Sequence, residues 1–119
     1  GFLLTTMADL DTRGPLAEDV TAVVLSEMGR HPVLNTYQGK DHWTYTSAMI
    51  IGSGVAGGQV IGGLDGYGQG ERVDLTAGEI TDTGHALQAM DLGATLLALG
   101  DVDPGAVVPE ASVIAAAMT

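Results

Sequence analysis

The chain has 119 residues, enough for one domain with its own core, and 45% of them are apolar but only 4% aromatic, so that core must be aliphatic. Fifteen acids against four bases leave a net charge of −11, which argues against nucleic acid or an anionic membrane surface as a partner. The absence of cysteine removes disulfides, thiolate catalysis and Cys-built zinc sites, and no apolar run approaches the roughly 20 residues that span a bilayer.

Taken in chain order, Leu3, Met7 and Leu10 fall at helical spacing before a Gly14-Pro15 stop, which predicts an amphipathic helix over residues 2–13. VTAVVLS (20–26) is a β-branched apolar run of the length expected for a buried parallel strand. Residues 27–44 read as a polar loop, TSAMIIG (46–52) as a second strand, and QVIGG (59–63) as a short third strand after the turn GSGVAGG. The Gly-, Asp- and Thr-rich stretch 64–84 contains VDLTAGEI, a small hairpin candidate. Residues 86–99 return to helix, with Leu92, Leu96 and Leu99 on one face and Gly100 past the end. In the tail, VIAAAM fits a last short strand or a turn of helix. No internal repeat is visible, and the pattern is that of an α/β protein, either a single domain over 1–119 or part of a larger one. The opening GFLLTT has no initiator Met, basic n-region or cleavage site, so no signal peptide is visible and a fragment is expected.

Two motifs have simpler explanations than ligand binding. Gly52, Gly54 and Gly57 spell G-x-G-x-x-G, with Glu71 at about the distance of a ribose-binding acid, but a dinucleotide site needs a helix opening on those glycines. The Gly-rich sequence that follows predicts a turn instead. Asp101, Asp103 and Gly105 begin like a calcium loop but lack its later ligands, so an Asx-turn at the helix exit is expected. His85 reads as a solvated loop histidine with no assigned role.

The segment EMGRHPVLNTYQGKDHW (27–43) holds two of the three histidines and the only Trp. It follows a strand end, where ligands of open α/β sheets bind. Glu27, Asp41 and His42 are of the types that ligate a divalent ion, zinc among them. Arg30 can grip a phosphate or sulfate with its two-pronged guanidinium. A crossover loop in which Asp41 pairs with Lys40 or Arg30 and Trp43 covers a sheet edge accounts for the same residues.

The order DLDTRG, strand, SEMGR-H-P-x-x-N, GKDHW, IIGSGVAGGQVIGGLD and DLGATLLALGDVDP resembles the C-terminal part of the sulfatase-like proteins of domain-of-unknown-function family 1501. Members typically carry SEFGRTP-x-x-N, G-x-DHW or G-x-DHG, and a Gly-rich strand turn. The resemblance covers roughly residues 3 to 104. It implies a partial alkaline-phosphatase/sulfatase-like sandwich truncated at its N-terminus, in the order helix-strand-loop-strand-strand-helix. It also implies the C-terminal portion of a metal-dependent sulfate or phosphate ester hydrolase-like protein, without its nucleophile and inactive alone. The superfamily's S-D-H-G strand-end motif matches Ser26, Glu27, Met28 and Gly29. Glu27 can still ligate, whereas Met28 is a poor ligand for such ions. His42 matches a later metal-binding His, Asp41 is a further metal candidate, and Arg30, Asn35 and His31 are implied for the anionic ester. The partner so implied is the missing N-terminal portion or another copy of the chain, and the compartment exported or periplasmic. Two alternatives stand beside this: a non-catalytic module that self-associates into a homo-oligomer through open sheet edges, and a small metalloenzyme using His31, His42 and Glu27.

Overall fold

The computed structural model describes residues 20–119, so the helix expected over 2–13 lies outside the described residues. Two five-residue strands, β1 (Thr21–Leu25) and β4 (Ala48–Gly52), pair from Thr21↔Gly52 to Leu25↔Ala48. Between them the expected polar loop folds back on itself through β2 (Gly29–Arg30) and β3 (His42–Trp43). Farther on, β5 (Arg72–Val73) pairs with β6 (His85–Ala86), followed by helix α1 (Ala89–Leu99). Among the described residues the strands thus form three two-stranded antiparallel pairs, and with α1 they make a small mixed α/β structure.

The parallel reading of VTAVVLS is corrected by the β1–β4 register, which is antiparallel. A parallel return needs a crossover, usually a helix, and the intervening segment is instead a clip that reverses the chain. Nor is this strand buried throughout. It runs from half-buried at Thr21 to exposed at Val24 and Leu25.

The third strand expected over 59–63 is also absent: Gly62 sits at φ 79°, in the left-handed region, which breaks an extended run. VDLTAGEI forms a hairpin in minimal form, a single Val73↔Ile80 bridge around a turn whose Thr76 and Ala77 amides donate to Asp74 Oδ1.

Helix α1 starts three residues later than the spacing of its leucines predicts. His85 and Ala86 are held in β6, and the Asp91 carboxylate reaches back to accept the Gln88 N–H at 2.8 Å, fixing the first turn. The face that α1 buries fully is Asp91, Ala94 and Thr95, while Leu92, Leu96 and Leu99 are half-buried. Small side chains on that face let the C-terminal segment approach closely. Ile114 N–H donates to Thr95 Oγ1 at 2.9 Å, and a 3-10 turn (Ala115–Ala117) follows. The tail then makes a single bridge, Val55↔Met118, so of the two forms expected of VIAAAM it takes a short helical turn and no strand.

The expected Asx-turn is present too, with Gly105 N–H donating to Asp103 Oδ1 at 2.9 Å. Among the described residues the buried ones are few: Val73, Ala94 and Ala117, the polar Asp91 and Thr95, and the glycines Gly29 and Gly68. No described helix is long and apolar enough to cross a membrane.

Candidate functional site

The clip formed by β2 and β3 carries most of the polar residues singled out in the sequence. Its close approach begins at Gly29, where a Cβ would stand 1.7 Å from the Tyr45 carbonyl oxygen, so only glycine fits. The register sets Gly29 against Trp43 and Arg30 against His42, and His31 N–H continues the ladder to the Asp41 carbonyl at 2.9 Å. Directly opposed residues of an antiparallel pair share a face. Arg30 and His42 are therefore cross-strand neighbours, both exposed. Period-two alternation sends Asp41 to the other side of the ribbon from His42.

The far end of the clip is closed by Asn35. Its Oδ1 accepts the N–H groups of Tyr37 (3.0 Å) and Gly39 (2.9 Å), and its Nδ2 donates to Asp41 Oδ1 at 2.8 Å. Asn35 thus acts on the site through Asp41, as an organiser of the turn. Arg30 Nη1 donates to the Lys40 carbonyl at 3.2 Å, and the residue is exposed. The His31 ring meets Trp43 edge-on with centroids 4.3 Å apart. His31 Nδ1 lies 3.1 Å from the Val33 N–H and 3.2 Å from the Val33 carbonyl, so it accepts from the one or donates to the other according to its tautomer. Trp43 Nε1 donates to the Gly68 carbonyl at 2.8 Å and anchors the clip to the following turn.

Glu27 lies on the exposed stretch between β1 and β2, where Ser26 Oγ donates to the Met28 carbonyl at 3.0 Å. Among the described residues, no three His, Asp or Glu side chains come together closely enough to hold one ion. Glu27, Asp41 and His42 therefore do not make a complete metal site by themselves, and neither do His31, His42 and Glu27. What the clip does assemble is Arg30 beside His42, and Asn35 on Asp41.

A second polar cluster corrects the reading of His85 as a solvated loop histidine, since that residue stands in β6 and is paired. His85 Nε2 lies 2.8 Å from Asp91 Oδ2, with the Asp91 side chain almost fully buried and that of His85 one-third exposed. Asp91 also accepts the Gln88 and Ser112 N–H groups, each at 2.8 Å, and its carbonyl accepts Thr95 Oγ1 at 2.7 Å. Burial alone pushes the Asp91 carboxyl up, but the Ser112 N–H, the His85 ring and the Gln88 N–H outweigh it and hold it below its usual range. The one sequence signal for this cluster is an acid three residues after the helix N-cap.

A family model described as protein of unknown function (DUF1501) matches residues 4–118. No curated protein and no solved structure matches the chain.

Proposed function

The chain belongs to the DUF1501 family, and from that premise we propose that it supplies one wall of a metal-dependent sulfate or phosphate ester hydrolase-like site, within the sandwich of the alkaline phosphatase and sulfatase superfamily. The observation that carries this reading is the β2–β3 register, which sets Arg30 beside His42 on an exposed face close in sequence to a strand end. Arg30 would hold the anionic oxygens of the ester, and His31, whose ring lies against Trp43 on the other side of the ribbon, would be a weaker candidate for the same role. Glu27 and His42 would be the donors this chain offers to a divalent ion such as zinc. Asp41, steadied through its Oδ1 by Asn35, would be a weaker candidate, since it faces the other side of the ribbon from His42.

A bound divalent ion would supply Lewis-acid polarisation of the ester. Because the described residues do not gather a complete donor set, further ligands and the attacking nucleophile would come from the N-terminal portion of a longer protein. This chain alone would then hydrolyse nothing at a useful rate. The test is zinc binding by calorimetry: Glu27→Ala and His42→Ala should each weaken affinity by at least about tenfold. Unchanged affinity in both variants contradicts the assignment.

A second reading has its own observation. Val24, Leu25 and Met49 are about half exposed on the two-stranded β1–β4 ribbon, and such a ribbon is marginal in isolation. Self-association through its edges would give a non-catalytic module. Sedimentation as a monomer across a wide concentration range would remove that reading.

A further inference from the structure

Two turns in this molecule have the same construction. In the first, Asn35 N–H donates to the Gly39 carbonyl, Gln38 N–H to the Asn35 carbonyl, and the Tyr37 and Gly39 N–H groups to Asn35 Oδ1. In the second, Asp65 N–H donates to the Gln69 carbonyl, Gly68 N–H to the Asp65 carbonyl, and the Tyr67 and Gln69 N–H groups to Asp65 Oδ1. All eight bonds lie between 2.8 and 3.0 Å. The fourth residue of each turn is left-handed, Gln38 at φ 59° and Gly68 at φ 76°. The third residue of each is a tyrosine. The first turn closes the β2–β3 clip, and the second closes a short hairpin bridged at Leu64↔Gly70.

Neither ring contributes to the fold. Tyr37 is 91% exposed and Tyr67 87%, whereas the other two described aromatics, Trp43 and Tyr45, are half-buried. A chain this poor in aromatics places half of those described where they bury nothing within it. The two tips also belong to one body. Trp43 reaches the Gly68 carbonyl, and Pro32 Cγ stands 3.1 Å from where a Cβ on Gly68 would be, so the second turn is seated on the clip that carries the first.

We infer that Tyr37 and Tyr67 are paired anchors for a polypeptide partner whose contact segment is basic and rich in arginine. Rigid, outward tyrosines supply large amphipathic contact area at low entropic cost, and the turn bonds pre-organise them before any partner arrives. Tyrosine faces attract guanidinium groups. The net charge of −11 favours basic partners over nucleic acid or an anionic membrane. This surface stands independently of the ester-hydrolase reading, since neither tyrosine belongs to the residues assigned there.

The experiment uses the full chain and a synthetic arginine–glycine repeat peptide, with glutamate–glycine and lysine–glycine peptides for comparison, at about 0.15 M salt. The arginine peptide should move the ring signals of both Tyr37 and Tyr67 in NMR spectra. Its affinity should fall about tenfold in the Tyr37→Ala/Tyr67→Ala double variant, survive in the double Tyr→Phe variant, and exceed that of the lysine peptide. Trp43 fluorescence should not change in either variant. Equal affinity for the double alanine variant would reduce the effect to net charge and overturn the inference. Unmoved ring signals, or equal binding of the glutamate peptide, would overturn it as well, and the ring signals are read on the unsubstituted chain whatever the variants do.

Discussion

Asn35 and Asp91 each draw two backbone N–H groups onto the side chain, the first at the tip of an exposed clip and the second beneath helix α1. Around Asp91 every bond closes inward, onto Gln88, Ser112 and His85, and a His–Asp pair that looks catalytic on paper ties β6, α1 and the C-terminal segment together. Around Asn35 the same device leaves chemistry unspent: Arg30 and His42 stand side by side on the exposed face of the ribbon it closes. The difference is burial. A buried carboxylate must find hydrogen-bond donors for its oxygens locally, whereas an exposed turn can hold its shape and still offer groups to a ligand.

The largest effect should come from emptying the buried cluster. Asp91→Ala strands His85 and two backbone N–H groups, and should cost about 3–5 kcal/mol in urea unfolding. A loss below about 1 kcal/mol would mean that the C-terminal segment is not held through this carboxylate. Asp91 also contributes to the acid limb of stability. Its folded pKa lies below its ordinary value of about 3.9. Its contribution is therefore fully present above the unfolded pKa and is lost as the pH falls through the folded one. Asp91→Asn should flatten the decline in unfolding midpoint below about pH 4, and an unaltered slope would assign that limb to other carboxylates.

Next in size, Gly29→Ala drives a methyl into the Tyr45 carbonyl and should cost about 2–3 kcal/mol. It should also shift Trp43 emission as the clip opens, and unchanged emission would show that the ribbon does not depend on that close approach. Asn35→Ala removes the acceptor for two turn amides at the surface and should cost only about 1 kcal/mol. If it proved as costly as Asp91→Ala, the contrast between an open clip and a closed cluster would fail.

Much of this molecule was legible before its structure. Helix α1 announced itself through Leu92, Leu96 and Leu99, and DVDPG through its Asx chemistry. The order SEMGR, GKDHW and GSGVAGG gave the family. Strand direction was not legible, because apolar runs such as VTAVVLS and TSAMIIG read the same whether paired parallel or antiparallel. The clip was hidden for a different reason: it depends on Gly29 lying under the Tyr45 carbonyl, a contact between residues that no periodicity links. The His85–Asp91 pair crosses a strand–helix junction, and a lone histidine ahead of a helix has no sequence signature. The twin turns, NTYQG and DGYGQ, share only their tyrosine position for position. Their likeness resides in Asx hydrogen bonds and one left-handed residue each, which substitution of Asn by Asp or Gln by Gly preserves.

The central claim, that the clip and not the buried cluster is this chain's share of a metal-dependent site, is tested most directly by titrating the full chain with zinc while following the ring signals of its histidines by NMR. The account predicts that His42 shifts and broadens at the lowest zinc concentrations while His85 stays fixed against Asp91. Movement of His85 ahead of His42 would contradict it.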